Sequence, residues 1–139
     1  MNTGTYEESL PCGGKLVISK KSWEISYYFP GPDMRYNGTL VRVPGNLIKK
    51  YITAFNENWE EYKKLKSTIP SNGNFSKQGK MGMCIRIGDF AQGVCIQSYH
   101  MPISSRQQLE KVINAYQYAS QRAPQMQKFL DNSRTRDGD

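Results

Sequence analysis

Two of the three cysteines and the only histidine lie close together in the sequence, within residues 83–100. A structural zinc site needs four Cys or His ligands, usually in close pairs such as C-x2-C. Ten residues separate Cys84 from Cys95, four more separate Cys95 from His100, and only Cys12 could complete a set. This spacing predicts no metal site. An odd number of irregularly spaced cysteines also argues against a disulfide framework and indicates a reducing compartment, the cytoplasm.

Catalysis by a Cys–His pair requires the thiol and the imidazole to lie within hydrogen-bonding distance. The alternating pattern here predicts a hairpin centred between Phe90 and Ala91, with apolar residues on one face. Its register pairs four sets of residues: Ile87 with Val94, Arg86 with Cys95, Ile85 with Ile96, and Cys84 with Gln97. In a regular strand Cys95 and His100 then project to opposite faces, which disfavours the pair unless a bulge intervenes. No phosphate-binding glycine motif is present, and carboxylates placed for acid–base work are scarce, since Glu57, Glu60 and Glu61 lie on a predicted helix where they pair with lysines. We therefore expect neither an enzyme nor a cofactor.

A first hairpin is predicted from the alternation of apolar and polar residues over positions 15–29. A turn at Lys20-Lys21 would place the large apolar side chains on one face, because it pairs Leu16 with Ile25 and Ile18 with Trp23. A third strand follows at 36–43, or at 39–43 if Asn37-Gly38 forms a turn.

Two amphipathic helices are predicted from apolar residues three and four positions apart. The first begins after Asn46 and stops before Pro70, and the second begins at Ser104 or Ser105 and ends or kinks at Pro124. The order βββαββα predicts an α+β two-layer sandwich, with an antiparallel sheet of about five strands and two helices on one face. The chain is then divided into an irregular lead-in at 1–14, a single domain at 15–131 and a disordered tail at 132–139.

Positive charge dominates the sequence, with a net charge of +7. Between Tyr62 and Gly88 there are six basic residues and no acidic one: Lys63, Lys64, Lys66, Lys77, Lys80 and Arg86. Such groups make phosphate contacts in nucleic-acid complexes. Phe75 in the loop at 70–79 and Tyr99 on the open face of the second hairpin add surfaces on which bases can stack. These eight residues form the predicted binding site.

The leading hypothesis is therefore a small, basic, non-enzymatic binding protein. Its basic loop and open sheet face would bind an anionic partner, nucleic acid or a nucleoprotein. The alternative is a protein-binding inhibitor, or an immunity or anti-defence factor, that blocks a nucleic-acid-targeting enzyme. The charge could also serve solubility alone. No apolar run approaches the ~20 residues of a membrane span and the N-terminus lacks a secretory signal, so we expect no membrane association.

Overall fold

The same order of elements, four antiparallel strands followed by a helix, occurs twice in the computed structural model, which describes residues 4–31 and 38–137. The first set comprises β1 (Tyr6–Ser9), β2 (Lys15–Ile18), β3 (Trp23–Phe29), β4 (Thr39–Pro44), a 3-10 turn (Gly45–Leu47) and α1 (Ile48–Thr68). The second comprises β5 (Phe75–Gln78), a 3-10 turn (Lys80–Gly82), β6 (Cys84–Ile87), β7 (Gly93–Gln97), β8 (His100–Ile103) and α2 (Arg106–Asp137).

The predicted α+β class is confirmed, but the single sheet of about five strands is wrong. Two separate four-stranded sheets are present, each with its strands in chain order. The sequence analysis missed β1, β5 and β8, and β1 lies within the lead-in that was expected to be irregular. All three are four-residue strands at the edge of a sheet. β1 and β5 each contain a single large apolar residue and β8 contains Pro102, so none of the three shows the pattern that predicts the equally short β2 and β6. Pairing with the neighbouring strand decides their conformation.

The chain forms two compact units. One unit combines β1–β4 with the part of α2 from Asn114 onward, and the other covers Lys49–Ile113. The prediction of a single domain stays a prediction, because a compact unit is not by itself an independently folding domain.

The hairpin of β2 and β3 has the predicted register, with Leu16 opposite Ile25 and Ile18 opposite Trp23. Leu16, Ile18 and Ile25 are fully buried, and Trp23 is partly buried. The next strand, β4, begins at Thr39, in agreement with the shorter of the two predicted alternatives. Residues 36 and 37, which the longer alternative included, lie outside the described residues.

Helix α2 passes through Pro124 and continues to Asp137, beyond the predicted start of a disordered tail at residue 132. A proline inside a helix removes one backbone hydrogen bond. Contacts of the following turns compensate within this unit: Leu130 is buried, the Gln127 amide donates to the Ser19 carbonyl (3.3 Å), and Asp131 pairs with Lys20 (3.0 Å). Residues 138 and 139 lie outside the described residues.

Two buried tyrosines connect β3 to α2 in the first unit. The hydroxyls of Tyr27 and Tyr116 lie 2.7 Å apart, and the Cys12 sulfur lies 3.5 Å from the Tyr27 hydroxyl. Burial, with further contributions from Tyr116 and Cys12, raises the pKa of Tyr27 far above its usual value. The phenol is therefore neutral at physiological pH and acts as a structural hydrogen-bonding group.

Removing the Tyr27 hydroxyl is expected to cost stability, whereas removing the Tyr62 hydroxyl is not. Tyr62 is equally buried, but its hydroxyl has no hydrogen-bond partner among the described residues. Tyr27→Phe should lower the free energy of unfolding by about 1–2 kcal/mol. Tyr62→Phe should leave it unchanged or raise it slightly, because a desolvated and unpaired hydroxyl is lost. Urea denaturation of both variants measures the difference, and equal losses would refute this assignment.

Candidate functional site

The β6–β7 hairpin is shifted by two residues from its predicted register. Cys84 lies opposite Cys95, Ile85 opposite Val94, and Arg86 opposite Gly93. The connection is a five-residue loop, Gly88–Gln92, rather than a tight turn at Phe90-Ala91. Gly88, the first residue of the loop, and Gly93, the residue after it, set its path, since their φ values are 137° and 135°. A shift of two keeps each side chain on its predicted face, and the predicted core residues are indeed buried: Met83, Ile85, Ile87, Val94 and Ile96.

Cys95 is fully buried, although the predicted hairpin pairs it with Arg86 on the face opposite the apolar residues. The reason is that β7 is an interior strand, so Cys84 and Pro102 flank the cysteine on its two sides. Its thiol donates a weak hydrogen bond to the Ala91 carbonyl (3.4 Å). Burial, reinforced by Cys84 and opposed by Arg86, raises the pKa of Cys95 to about 11. The group is therefore a protonated thiol at neutral pH, unlike an activated nucleophile.

His100 does not occupy the position that the sequence analysis assumed. The chain reverses at Ser98 and Tyr99, so His100 opens β8 opposite Gln97 and shares the face of Gln97 and Cys95. The prediction of opposite faces is wrong because β7 ends at Gln97. The imidazole packs against the Tyr99 ring, with 4.5 Å between the ring centroids. Within residues 4–31 and 38–137, no three His, Cys, Asp or Glu side chains are grouped so that they could hold a metal ion.

Four side chains form a contiguous group on this part of the second unit, which we term the aromatic patch: Arg86, Phe90, Tyr99 and His100. The Phe90 and Tyr99 rings lie 5.5 Å apart, and the Arg86 guanidinium lies 5.8 Å from the Phe90 centroid. The Arg86 Nε also donates to the Phe90 carbonyl (3.3 Å), which fixes the loop. Phe90 is 62% exposed and Tyr99 is 50% exposed. Two large rings and a guanidinium thus remain accessible at one place.

A cleft of about 410 Å³ adjoins the patch and is lined by Asn74, Phe75, Ser76, Arg86, Ile87, Asp89 and Phe90. The Asn74 side-chain oxygen accepts a hydrogen bond from the Asp89 amide (3.3 Å), which connects the loop before β5 to the loop after β6. Two residues of the predicted site, Phe75 and Arg86, line this cleft. A third, Tyr99, lies in the adjoining aromatic patch, where its ring contacts Phe90. A second cleft of about 420 Å³ borders the same loop at Asp89 and includes Lys66.

Half of the predicted site cations have carboxylate partners in the structure. Three of the six predicted groups pair with glutamates of α1: Lys63 with Glu60 (3.1 Å), Lys77 with Glu61 (3.7 Å) and Lys80 with Glu57 (2.8 Å). Glu60 pairs with Lys63 within α1, three residues along the helix, whereas Glu61 and Glu57 of α1 reach Lys77 on β5 and Lys80 in the 3-10 turn. The absence of acidic residues from positions 62–88 therefore does not leave all six cations without a carboxylate partner.

Uncompensated positive charge nevertheless remains in the second unit. It contains ten Lys and Arg residues and five Asp and Glu residues, a net charge of +5. Lys64 is exposed and forms no ion pair among the described residues. The Lys66 ammonium lies 5.9 Å from the Tyr62 ring centroid, a cation–π contact that leaves its charge in place. Lys64, Lys66 and Arg86 are the predicted site cations without a carboxylate partner in the described residues.

A buried asparagine holds Lys80 in place. Asn58 is 2% exposed, and its side chain accepts a hydrogen bond from the Lys80 amide (2.9 Å) and donates one to the Lys80 carbonyl (3.1 Å). This clamp fixes the 3-10 turn Lys80–Gly82 against α1. The sequence analysis missed Asn58, although a polar residue on the apolar stripe between Phe55 and Tyr62 is a detectable signal. Phe90 was treated only as a turn residue, and His100 was weighed as a zinc ligand and as a catalytic partner of Cys95 but not as part of an aromatic group.

None of the helices in the described part of the chain is long and apolar enough to cross a membrane. Comparisons with protein-family models, with curated proteins and with solved structures find no match.

Proposed function

We propose that this protein is a non-enzymatic, cytoplasmic binding protein that binds single-stranded nucleic acid through the aromatic patch. The observation that carries the proposal is the exposure of Phe90 and Tyr99 beside the Arg86 guanidinium. Aromatic rings and guanidinium planes stack on unpaired bases without regard to their identity. Each base stacked in this way contributes about 1–3 kcal/mol.

Cations near the patch supply the phosphate contacts in this proposal. Arg86 lines the cleft beside the patch, and Lys66 lines the second cleft at the same loop. Lys64 lies two residues before Lys66 on α1 and is exposed. Three such contacts release about two counterions from a single strand. The three ion-paired lysines contribute less, because their charges are already compensated.

Binding of an oligonucleotide should therefore depend on salt. The measurement is the fluorescence anisotropy of a labelled single-stranded RNA or DNA, titrated with the protein at 50 and 200 mM salt. We expect the affinity to fall roughly 15-fold between the two concentrations, and a duplex of the same length to bind more weakly. No binding at low salt, or an affinity that ignores salt, would refute the proposal.

A protein partner is the second candidate, and the ion pairs of α1 favour it, because they reduce the charge available to phosphates. The protein would then be an inhibitor, or an immunity or anti-defence factor, that blocks a nucleic-acid-targeting enzyme. Exposed aromatic residues next to arginine are typical of the residues that dominate protein interfaces. One stoichiometric partner that survives nuclease treatment and is lost in Phe90→Ala would favour this candidate.

A further inference from the structure

Two cysteines lie directly opposite each other on neighbouring strands of the second sheet. Cys84 on β6 is the antiparallel partner of Cys95 on β7. The α-carbons of such partners are ~4.5–5.5 Å apart, which falls within the range found for disulfides. Paired residues also project to the same face of a sheet. Both residues are free thiols in this structure, with Cys84 partly and Cys95 fully buried.

We propose that Cys84 and Cys95 form an oxidation site, at which a low-molecular-weight disulfide such as oxidised glutathione converts the two thiols into an intramolecular disulfide. The proposal is independent of the proposed function, because it concerns only the chemistry of the β6–β7 hairpin. This pair could not be predicted from the sequence, because the predicted register placed Cys84 opposite Gln97. The odd number of cysteines also argued against a disulfide.

The reaction proceeds by two thiol–disulfide exchanges. The more accessible thiol, Cys84, attacks oxidised glutathione as a thiolate, forms a mixed disulfide and releases one glutathione thiolate. The Cys95 thiolate then attacks the Cys84 sulfur and releases the second glutathione. The protein loses two hydrogens, and one molecule of oxidised glutathione is reduced to two of glutathione, which take up the two protons.

The second exchange is expected to be slow at neutral pH. Burial, together with Cys84, raises the pKa of Cys95 to about 11, so only a small fraction of this thiol is ionised. The rate of ring closure should therefore rise about tenfold for each pH unit below that pKa. The product would join both strands of the hairpin that carries Arg86 and Phe90, and it would remove the hydrogen bond from Cys95 to the Ala91 carbonyl.

The test is intact-mass and peptide mass spectrometry of the folded wild-type protein after incubation with oxidised glutathione at pH 7 and pH 8. We expect a loss of two hydrogens, a cross-link between the peptides that contain Cys84 and Cys95, and reversal by dithiothreitol. Ring closure should be about tenfold faster at pH 8. Cys12, which contacts the Tyr27 hydroxyl in the first unit, should remain a thiol and serves as the internal control.

A variant separates the two exchange steps. Cys95→Ser should stop the reaction at a stable glutathione adduct on Cys84, and circular dichroism establishes that the variant is folded. In the wild-type protein, a persistent adduct on Cys84 without a cross-link would overturn the proposal, as would unreacted Cys84 and Cys95 in folded protein at pH 8. The wild-type result alone decides the question if Cys95→Ser does not fold.

Discussion

Gly93→Ala is expected to lower the free energy of unfolding by about 3 kcal/mol or more. Gly93 opens β7 with a φ of 135°, a conformation that residues with a side chain rarely adopt. A β-carbon at this position would also fall against the backbone of Ile103 on β8, which cannot rotate away as a side chain can. In the variant, β7 and β8 must therefore move apart at this point. This movement disturbs the neighbouring pair Val94 and Ile103, which is buried.

Gly82→Ala is the matched control for this prediction. Gly82 also has a positive φ (74°), but a β-carbon there meets no heavy atom within 4 Å. Only the strain of the backbone conformation applies, so Gly82→Ala is expected to lower the free energy of unfolding by about 1 kcal/mol. Chemical denaturation of both variants checks the difference. If the two substitutions cost the same, the close approach of β8 to Gly93 is not a determinant of stability.

The register of the first hairpin could be predicted from the sequence because its pattern is strong. Leu16, Ile18 and Ile25 must all reach one buried face, and a slip by one residue would expose every one of them. The register of the β6–β7 hairpin was wrong by two residues for a related reason. A slip by two leaves the faces unchanged, so the apolar pattern cannot detect it, and the conformations of Gly88 and Gly93 decide instead.

The candidate site was predictable only in part. Phe75, Arg86 and Tyr99 were singled out from their residue types and their predicted strand or loop positions, and the structure places them around one loop. Only one of the three ion pairs of the lysines could be predicted in the same way. The pair Lys63–Glu60 is local, three residues apart on α1, and follows from helical spacing. The other two pairs join distant segments, so their partners depend on packing that the sequence pattern does not specify. Glu57 and Glu61 lie one helical turn apart, so they reach Lys80 and Lys77 on neighbouring segments.

Phe90→Ala is expected to weaken binding of a single-stranded oligonucleotide about tenfold, because one stacked base is worth about 1–3 kcal/mol. The ring is 62% exposed, so its removal leaves no buried cavity. It does remove the contacts of Phe90 with Tyr99 and with the Arg86 guanidinium, which position those two groups. Losses from Phe90→Ala and Tyr99→Ala should therefore be less than additive in the double variant.

Tyr28→Ala provides the matched control. Tyr28 lies on β3 in the first unit and is 65% exposed, so the substitution removes a similar area of accessible aromatic surface away from the patch. A surface substitution of this kind should change stability little, and thermal unfolding checks that both variants are folded. Any difference in affinity between the two variants then shows that the effect depends on where the lost aromatic ring lies, and not on the loss of exposed aromatic surface as such.

The most direct test of the account is one anisotropy experiment at 50 mM salt, in which the wild type, Phe90→Ala and Tyr28→Ala are titrated against the same labelled single strand. We predict that the wild type binds, that Phe90→Ala loses about tenfold in affinity, and that Tyr28→Ala stays within about twofold of the wild type. Equal affinities for the two variants, or wild-type affinity for Phe90→Ala, would contradict binding through the aromatic patch.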